Sequence, residues 1–483
     1  MLHIPILRGG RPHRSLQTHV LRDVRTGEPI AETSQAIPGL IARDLARDSV
    51  SRRLALEARP VAALIEACHR AADLFAEAEL PLAPGSEQRL GPDQYLENLA
   101  ATTGMPIAMG RANLGKIVHV LRHIEDVLDG LTRGLDLGVL DGGWGTMAGR
   151  RLSYQRLTDA LGAVLPNNSP GVHNLWIPAI PLKTPLVLKP GSSEPWTPYR
   201  ISMALIEAGV PGEAFSLYPT GYNGVPELLL RTGRSLFFGD ASTVEAWRGT
   251  GKVQIHGPGW SKVLVGPDAA ASWRDHLELF AGSVAKNGGR SCINCSSIWV
   301  PAEAGVGREL AEALAAELAK LEPRPLDDPQ AQLAAFPDPA VARAVSEAID
   351  QEVAGEEPDD RVDDLSAHHH AERVVDVGGC TFLRPTVVHV TDPAHALAHT
   401  EYGFPFVAVV ECPESELFDA IGPTLIGSVL SDDASFRNRA LACRSIDRLN
   451  LGPMPTYKIS WDQPHEGNLF DHLYHQRAFQ LAS

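Results

Sequence analysis

A chain of 483 residues exceeds what one ordinary core encloses, so two or three domains are expected. Hydrophobic residues make up 44% and charged residues 21%, the balance of a soluble globular protein, and the net charge of −16 excludes a general nucleic-acid binder, which needs a basic face. No stretch reaches the ~18 apolar residues of a membrane-spanning helix, and MLHIPILRGGRPHRSL breaks into Arg and Gly before a signal-peptide core forms, so a cytoplasmic location is expected.

After a short β start, residues 40–135 carry Ala, Leu, Arg and Glu at helical spacing, which predicts a helical section. Within it GRANLGKI (110–117) comes near a phosphate loop. It lacks the Ser or Thr that should follow Lys116, and no apolar strand precedes it, so it reads as helix. From residue 161 the pattern changes. The apolar runs LGAVL, PLVLK, AFSLYP, SLFFG and KVQIHG alternate with helix-like stretches such as TPYRISMALIEAGV, which Gly209 and Pro211 terminate. This alternation predicts a parallel sheet with helices on its faces and ligands beyond the strand carboxyl ends. No GxGxxG dinucleotide fingerprint occurs.

A second α/β region is expected over 267–450. The strand KVLVG leads into the helix ASWRDHLELFAGSVAKN, which ends at Gly288-Gly289. The strands SSIWV, TVVHV, FVAVVE and GSVLS follow. LEPRPLDDPQAQLAAFPDPA (321–340) reads as a Pro-rich surface connection, and PTYKISWDQPHEGNLFDHLYHQRAF as a docking tail. The expected organisation is therefore a helical section and cofactor domain over 1–266, a thiol domain over 267–450, and a tail over 451–483.

Six cysteines make no disulfide framework, and two of them, Cys292 and Cys295, stand three apart in GGRSCINCSS (288–297). No second Cys-x-x-Cys or Cys/His pair at ligand spacing accompanies them, which argues against zinc. A redox pair, a nucleophile with a bystander, and inert thiols remain as readings. The run His368–His370, flanked by Asp363, Asp364 and Glu372, reads as a solvated loop, with a metal role as the minority alternative.

Five motifs, in order, resemble the NAD(P)-dependent aldehyde dehydrogenase superfamily over nearly the whole chain. LPNNSP (165–170) is similar to its PWNFP turn, and VLKPGSSEPWTP (187–198) to its lysine–proline cofactor loop. NGGRSC (287–292) is similar to its nucleophile loop. GGCTFLRPTVV (378–388) and TEYGFPFVAVV (400–410) are similar to its G-G-x-F-x-x-P-T-V and E-E-x-F-G-P blocks. The resemblance implies a Rossmann-type cofactor domain and an α/β catalytic domain joined by a cleft, with a small oligomerisation element. WGTMAGRRLSYQRLT (144–158) resembles the family's projecting hairpin, so a homodimer or homotetramer is expected.

A nucleophilic thiolate needs a lowered pKa and partial exposure, and the Gly288-Gly289 turn and Arg290 suit that need. The residues alone favour a buried inert thiol, the commoner fate of free cysteine. The resemblance instead puts Cys292 at the catalytic position, where it attacks a carbonyl and carries a thioester, and leaves Cys295 as a bystander. Asn168, with the backbone N–H of Cys292, corresponds to the oxyanion donors. Lys189 corresponds to the contact to the adenosine ribose. The NAD-selecting glutamate is replaced by Gly191-Ser192, with Glu194 close by, which leaves NAD or NADP open. The G-S-T-x-x-G phosphate turn becomes Gly239-Asp240-Ala241-Ser242-Thr243-Val244, and Glu401 corresponds to the carboxylate on the nicotinamide ribose.

The largest departure is at the general base. Hydrolytic members carry E-L-G-G-K-S, whereas this chain reads His256-Gly257-Pro258-Gly259-Trp260-Ser261. The block, with FFGDASTV, is more similar to the CoA-acylating branch and the acyl-CoA reductases, in which a thiol resolves the thioester. His256 is then a base for water, an assistant to a thiol, or structural. The leading expectation is interconversion of an aldehyde and an acyl-thioester with NAD or NADP and CoA. Oxidation of an aldehyde to a carboxylic acid, and a non-catalytic scaffold of the same fold, are the alternatives.

Overall fold

The apolar runs that alternate with helical stretches form two parallel sheets, each the centre of its own unit. The computed structural model describes residues 1–355 and 361–482. One unit comprises residues 1–102, 110–257 and 460–483, and the other residues 103–109 and 258–459.

In the first unit the helical section appears as Pro38–Glu57, Val61–Glu77, Pro92–Thr103, Ile107–Arg122 and Ile124–Thr132, the fourth running on into the second unit's 103–109 segment and containing GRANLGKI. Its central sheet has the order Val253–His256, Arg234–Phe238, Leu161–Val164, Leu186–Lys189, Phe215–Leu217, all parallel. Ile6–Arg8 and Arg11–His13 extend it antiparallel. All four residues of Leu161–Val164 are buried, as a strand covered on both faces requires. The helix Trp196–Glu207 lies almost wholly in the core and ends where Gly209 takes φ +104°, a left-handed value that suits glycine. A separate antiparallel sheet joins Gly145–Met147, Arg150–Arg156 and Tyr474–Arg477, so the tail segment adds a strand to the 144–158 hairpin.

The second unit's sheet has the order Val362–Asp364, Thr386–Val390, Phe406–Cys412, Cys295–Pro301, Ser261–Val265, Thr424–Leu430, Ile446–Leu451. Only the first strand runs antiparallel. Apolar clusters cover both faces, one around Trp299, Phe406 and Phe436 and the other around Trp273, Phe280 and Leu314.

The segment 321–340 departs from expectation. It is irregular through 338, yet Leu326, Ala331, Leu333, Ala334 and Ala335 are buried, and Leu326 O accepts the N–H of Ile107. Its alternating Pro and Asp concealed the apolar residues that anchor it. Among the described residues no helix is long and apolar enough to cross a membrane.

Candidate active site

In the first unit the candidate residues gather at the carboxyl edge of the sheet. Leu161–Val164 pairs with Leu186–Lys189 on one side and Arg234–Phe238 on the other, and chain direction around the sheet reverses there. Such a switch point opens a crevice for a ligand. The turn after Leu161–Val164 carries Asn168, half-buried, followed by Ser169, whose Oγ accepts from Gly171 N and starts a short helix. Asn167 Oδ1 accepts from Ser193 N at 2.8 Å and ties this turn to the loop after Lys189. A Cβ at Gly191 would stand 2.4 Å from Asn167 Oδ1 and 2.5 Å from Pro166 O, so the close approach of the two loops requires glycine.

Lys189 ends its strand opposite Val164. Burial pushes its pKa down, and no charged partner among the described residues offsets that cost. A desolvated ammonium beside Ser192 suits a polar ribose or phosphate group. Glu194 faces away from this loop tip. It is buried, accepts from Thr197 N at 2.9 Å and Thr197 Oγ1 at 2.7 Å, and holds His173 Nε2 at 3.0 Å. It is a helix cap and core partner, so no Glu194 carboxylate stands over the loop in place of the missing NAD-selecting one.

The phosphate turn fits its expected ligand poorly. Asp240 caps the four-residue helix Ala241–Val244, accepting from Thr243 N at 2.9 Å and from the Ser242 hydroxyl at 2.6 Å. These bonds hold its carboxyl below the usual range, so an anion already occupies the position where phosphate was expected. This geometry speaks against Asp240 as a phosphate contact. Gly239 closes the adjoining strand end through a hydrogen bond from its N–H to His256 O at 3.2 Å.

His256 ends strand Val253–His256, and its ring stacks on Phe238 with centroids 4.4 Å apart and planes 16° apart. Nδ1 is hydrogen-bonded to the carboxylate of Glu466, whereas Nε2 is buried and has no hydrogen-bond partner. Burial pushes the Glu466 pKa up, but the His256 imidazole outweighs it and holds the carboxyl below its ordinary value. Nearby, His472 Nε2 meets Ser235 O at 3.2 Å, and burial followed by Arg234 pushes its pKa down to about 4. No sequence signal linked Glu466 to His256, since 210 residues separate them.

In the second unit the candidate residues gather at the amino edge. The loop before Cys295–Pro301 begins with Asn287, Gly288 and Gly289 at φ +56°, +64° and +70°, three consecutive left-handed residues. A Cβ at Gly289 would lie 2.3 Å from Phe404 C, so this glycine lets the nucleophile loop pack on the Gly403-Phe404-Pro405 backbone. Asn294 secures the loop: Oδ1 accepts from Ser291 N at 2.9 Å, and Nδ2 donates to the carbonyls of Ser283, Val284 and Lys286.

Cys292 is half-buried on this loop. Its carbonyl accepts from Ser261 Oγ at 2.8 Å, and a Cβ at Gly259 would fall 1.9 Å from the same oxygen. The main chain at Gly259 therefore rests on the Cys292 carbonyl. Arg290, the cation expected near Cys292, also anchors the loop. Its Nη1 donates to Thr103 O at 2.8 Å, and burial pushes its pKa down to about 10. Arg448 couples electrostatically to Cys292. Burial depresses Arg448, and the Cys292 thiol works in the opposite sense. Arg448 is the register partner of Ile426, which belongs to the apolar cluster that Cys292 packs against.

Cys295 starts the strand and is buried, with Sγ donating to Ser297 O at 3.2 Å. Burial pushes its thiol up to about 12, which makes it a poor thiolate. Glu401 Oε2 accepts from Trp260 N at 2.6 Å, and Trp260 itself has φ +44°. Lys262, fully buried, donates to the carbonyls of Trp260 and Pro423, and burial pushes it down to about 8 against the pull of Cys295 and Glu401. Among the described residues no three His, Cys, Asp or Glu side chains form a metal-binding group, and His368 and His369 are exposed.

The model of the aldehyde dehydrogenase family matches residues 92–421. No curated protein matches the chain. Among solved structures, the NADP-dependent glyceraldehyde-3-phosphate dehydrogenase of Bacillus halodurans C-125, complexed with NADP, is 15% identical with a TM-score of 0.76, covering 99% of this chain and 98% of that one. The NAD-dependent aldehyde dehydrogenase of Sinorhizobium meliloti is 18% identical with a TM-score of 0.76, covering 98% and 94%. An indole-3-acetaldehyde dehydrogenase complexed with NAD+ is 16% identical with a TM-score of 0.74, covering 99% and 96%. At these identities the likeness establishes the fold.

Proposed function

The chain belongs to the aldehyde dehydrogenase family, and from that premise we propose that it interconverts an aldehyde and an acyl-thioester, acyl-CoA, through an acyl group carried on Cys292. The coarser activity, NAD(P)-dependent oxidoreduction of an aldehyde, follows from family membership. That membership sets aside the non-catalytic alternative.

In the oxidative direction, the Cys292 thiolate attacks the carbonyl carbon and a C–S bond forms. Asn168 donates to the oxygen as it gains charge, and the Arg448 guanidinium favours the thiolate beforehand. The bound nicotinamide supplies the hydride acceptor. Lys189 and Ser192 hold the adenosine ribose end and Glu401 the nicotinamide ribose. With no free carboxylate at the loop tip, NADP is accepted as well as NAD. The thioester is then resolved by an acceptor thiol. Its S–H proton passes to His256 Nε2 while its sulfur attacks the carbonyl, and collapse expels the Cys292 thiolate.

The observation that carries this reading is His256 standing where hydrolytic relatives have glutamate, with Nε2 buried and unpartnered. A thiol is a far stronger acid than water, so it surrenders its proton to an imidazole base far more readily. His256 corresponds to the first position of the family's E-L-G-G-K-S block. It lies three residues before Gly259 in the sequence. The second reading is oxidation to a carboxylic acid, and the same observation gives it support, because a buried imidazole lone pair can also activate water.

A cofactor-linked screen of straight-chain aldehydes and acyl-CoAs, with NAD and NADP, with and without CoA, separates the two. Turnover that needs CoA, yielding acyl-CoA, supports thiol exchange. Rapid free-acid release without CoA, and no CoA-dependent turnover in either direction, contradicts it. The sheet of Gly145–Met147, Arg150–Arg156 and Tyr474–Arg477, beside exposed Trp144 and Met147, supports a homodimer or homotetramer, which sedimentation velocity checks.

A further inference from the structure

The carboxylate that this chain lacks at position 256 returns from its far end. Glu466 belongs to the C-terminal segment and comes 210 residues after His256, yet its carboxylate meets His256 Nδ1. Both side chains are nearly dry, 4% exposed for His256 and 13% for Glu466. We infer that Glu466 is a positioning residue that fixes His256 in the tautomer with its lone pair on Nε2. This rests on the reading of His256 as the base of the second half-reaction.

An ionised carboxylate accepts only, so Nδ1 must carry the proton and the neutral ring leaves Nε2 bare. Among the described residues nothing else hydrogen-bonds Nε2, so nothing else selects the tautomer. The Phe238 ring, stacked on the imidazole, fixes its plane. The segment carrying Glu466 is itself secured. Asn468 caps the helix Leu469–Leu473 and donates to Leu131 O, and His465 and Gly467 form an isolated bridge. A Cβ at Gly467, which has φ +74°, would stand 2.7 Å from Gln254 Nε2, so glycine there lets the segment lie against strand Val253–His256. The other titratable groups around the pair do not compete for Nδ1. His472 is directed to Ser235 O, Arg234 to the His472 carbonyl, and His465 acts on Glu466 through its charge.

The arrangement has a chemical consequence. A glutamate at 256 would present its carboxylate as the base. Here the carboxylate lies behind an imidazole, and the proton arriving on Nε2 forms an imidazolium that Glu466 compensates in a dry setting. The C-terminal segment thus completes a base that residues 253–256 alone leave undefined.

The test uses the full chain with 15N-labelled histidine, the His256 signals being assigned by their loss in H256N. The wild type should show the Nδ1–H tautomer at His256, and E466A should shift it to Nε2–H. In single turnover with octanal, NAD(P) and CoA, E466A should slow transfer of the acyl group to CoA by about 100-fold, well beyond any effect on formation of the Cys292 acyl group. E466D should recover part of that loss. An unchanged tautomer in E466A overturns the inference whatever the rates. If E466A does not fold, the wild-type spectrum decides, since Nε2–H at His256 overturns it. A shifted tautomer with transfer to CoA unaltered in both E466A and H256N upholds the positioning by Glu466 and overturns the base reading of His256.

Discussion

The two sheets hold their chemistry at opposite ends. In the first unit, Asn168, Lys189, Ser192 and His256 stand at the carboxyl edge, each on a loop or strand end, tied mostly by side-chain hydrogen bonds, with a close main-chain approach of Gly191 to Pro166 O. In the second unit, Cys292 and Glu401 stand at the amino edge, where main chain lies on main chain. Gly259 rests on the Cys292 carbonyl and Gly289 on Phe404, and Glu401 is held by the Trp260 N–H. A loop positioned by backbone approach tolerates little added volume, whereas one held by side-chain hydrogen bonds can adjust one group at a time.

The sharpest way to separate the edges is to remove the thiol. Cys292→Ser should cut cofactor-linked turnover at least ~1,000-fold while NAD(P)H binding, read by fluorescence, stays within about twofold, since Lys189, Ser192 and Glu401, the residues proposed to hold the cofactor, are untouched. Cys295→Ser should retain most activity, because a buried thiol pushed up to about 12 takes no part.

Next in size is the contrast between two glycines. Gly289→Ala places a methyl 2.3 Å from Phe404 C at φ +70°, and it should cost ~3 kcal/mol or more in chemical denaturation and displace Cys292. At the other edge, a methyl at Gly239 meets Thr243 Oγ1 at 2.5 Å and Val244 Cγ1 at 3.2 Å, side-chain atoms that can turn away. Gly239→Ala should therefore cost ~1 kcal/mol. Equal losses would erase the distinction between the edges.

Lys189→Met should weaken NAD(P)H binding about tenfold and leave the rate of Cys292 alkylation by iodoacetamide unchanged. A change in alkylation would mean that the two edges are not separable.

A further expected effect concerns pH. His472 takes its proton near pH 6.5 when unfolded and only near about 4 when folded, so the unfolded state binds more protons between these values. The stability is fully present above pH 6.5 and is lost as pH falls from there to about 4, by an amount of order 3 kcal/mol. Denaturation at pH 7 and pH 4.5 should show that fall, and His472→Gln should flatten it.

Much of the fold was legible because burial on both faces forces uninterrupted apolar strands, as in PLVLK and TVVHV, and amphipathic spacing marks the helices of 38–132. The candidate site was legible where a motif is local: the left-handed run Asn287-Gly288-Gly289 is written in NGGRSC. Contacts made across the chain were not. Nothing beside His256 announces Glu466, and nothing beside Cys292 announces Arg448. Segment 321–340 misled because its prolines and aspartates outnumber the Leu326 and Leu333 side chains that anchor it.

The account turns on what resolves the thioester. Incubating the enzyme with octanal and NAD or NADP, without CoA, then quenching and mapping the adduct by mass spectrometry, tests that directly. The account predicts an acyl group on the peptide bearing Cys292 that persists without CoA and is discharged as octanoyl-CoA when CoA is added. An adduct absent from Cys292, or one that decays rapidly to octanoic acid without CoA, contradicts it.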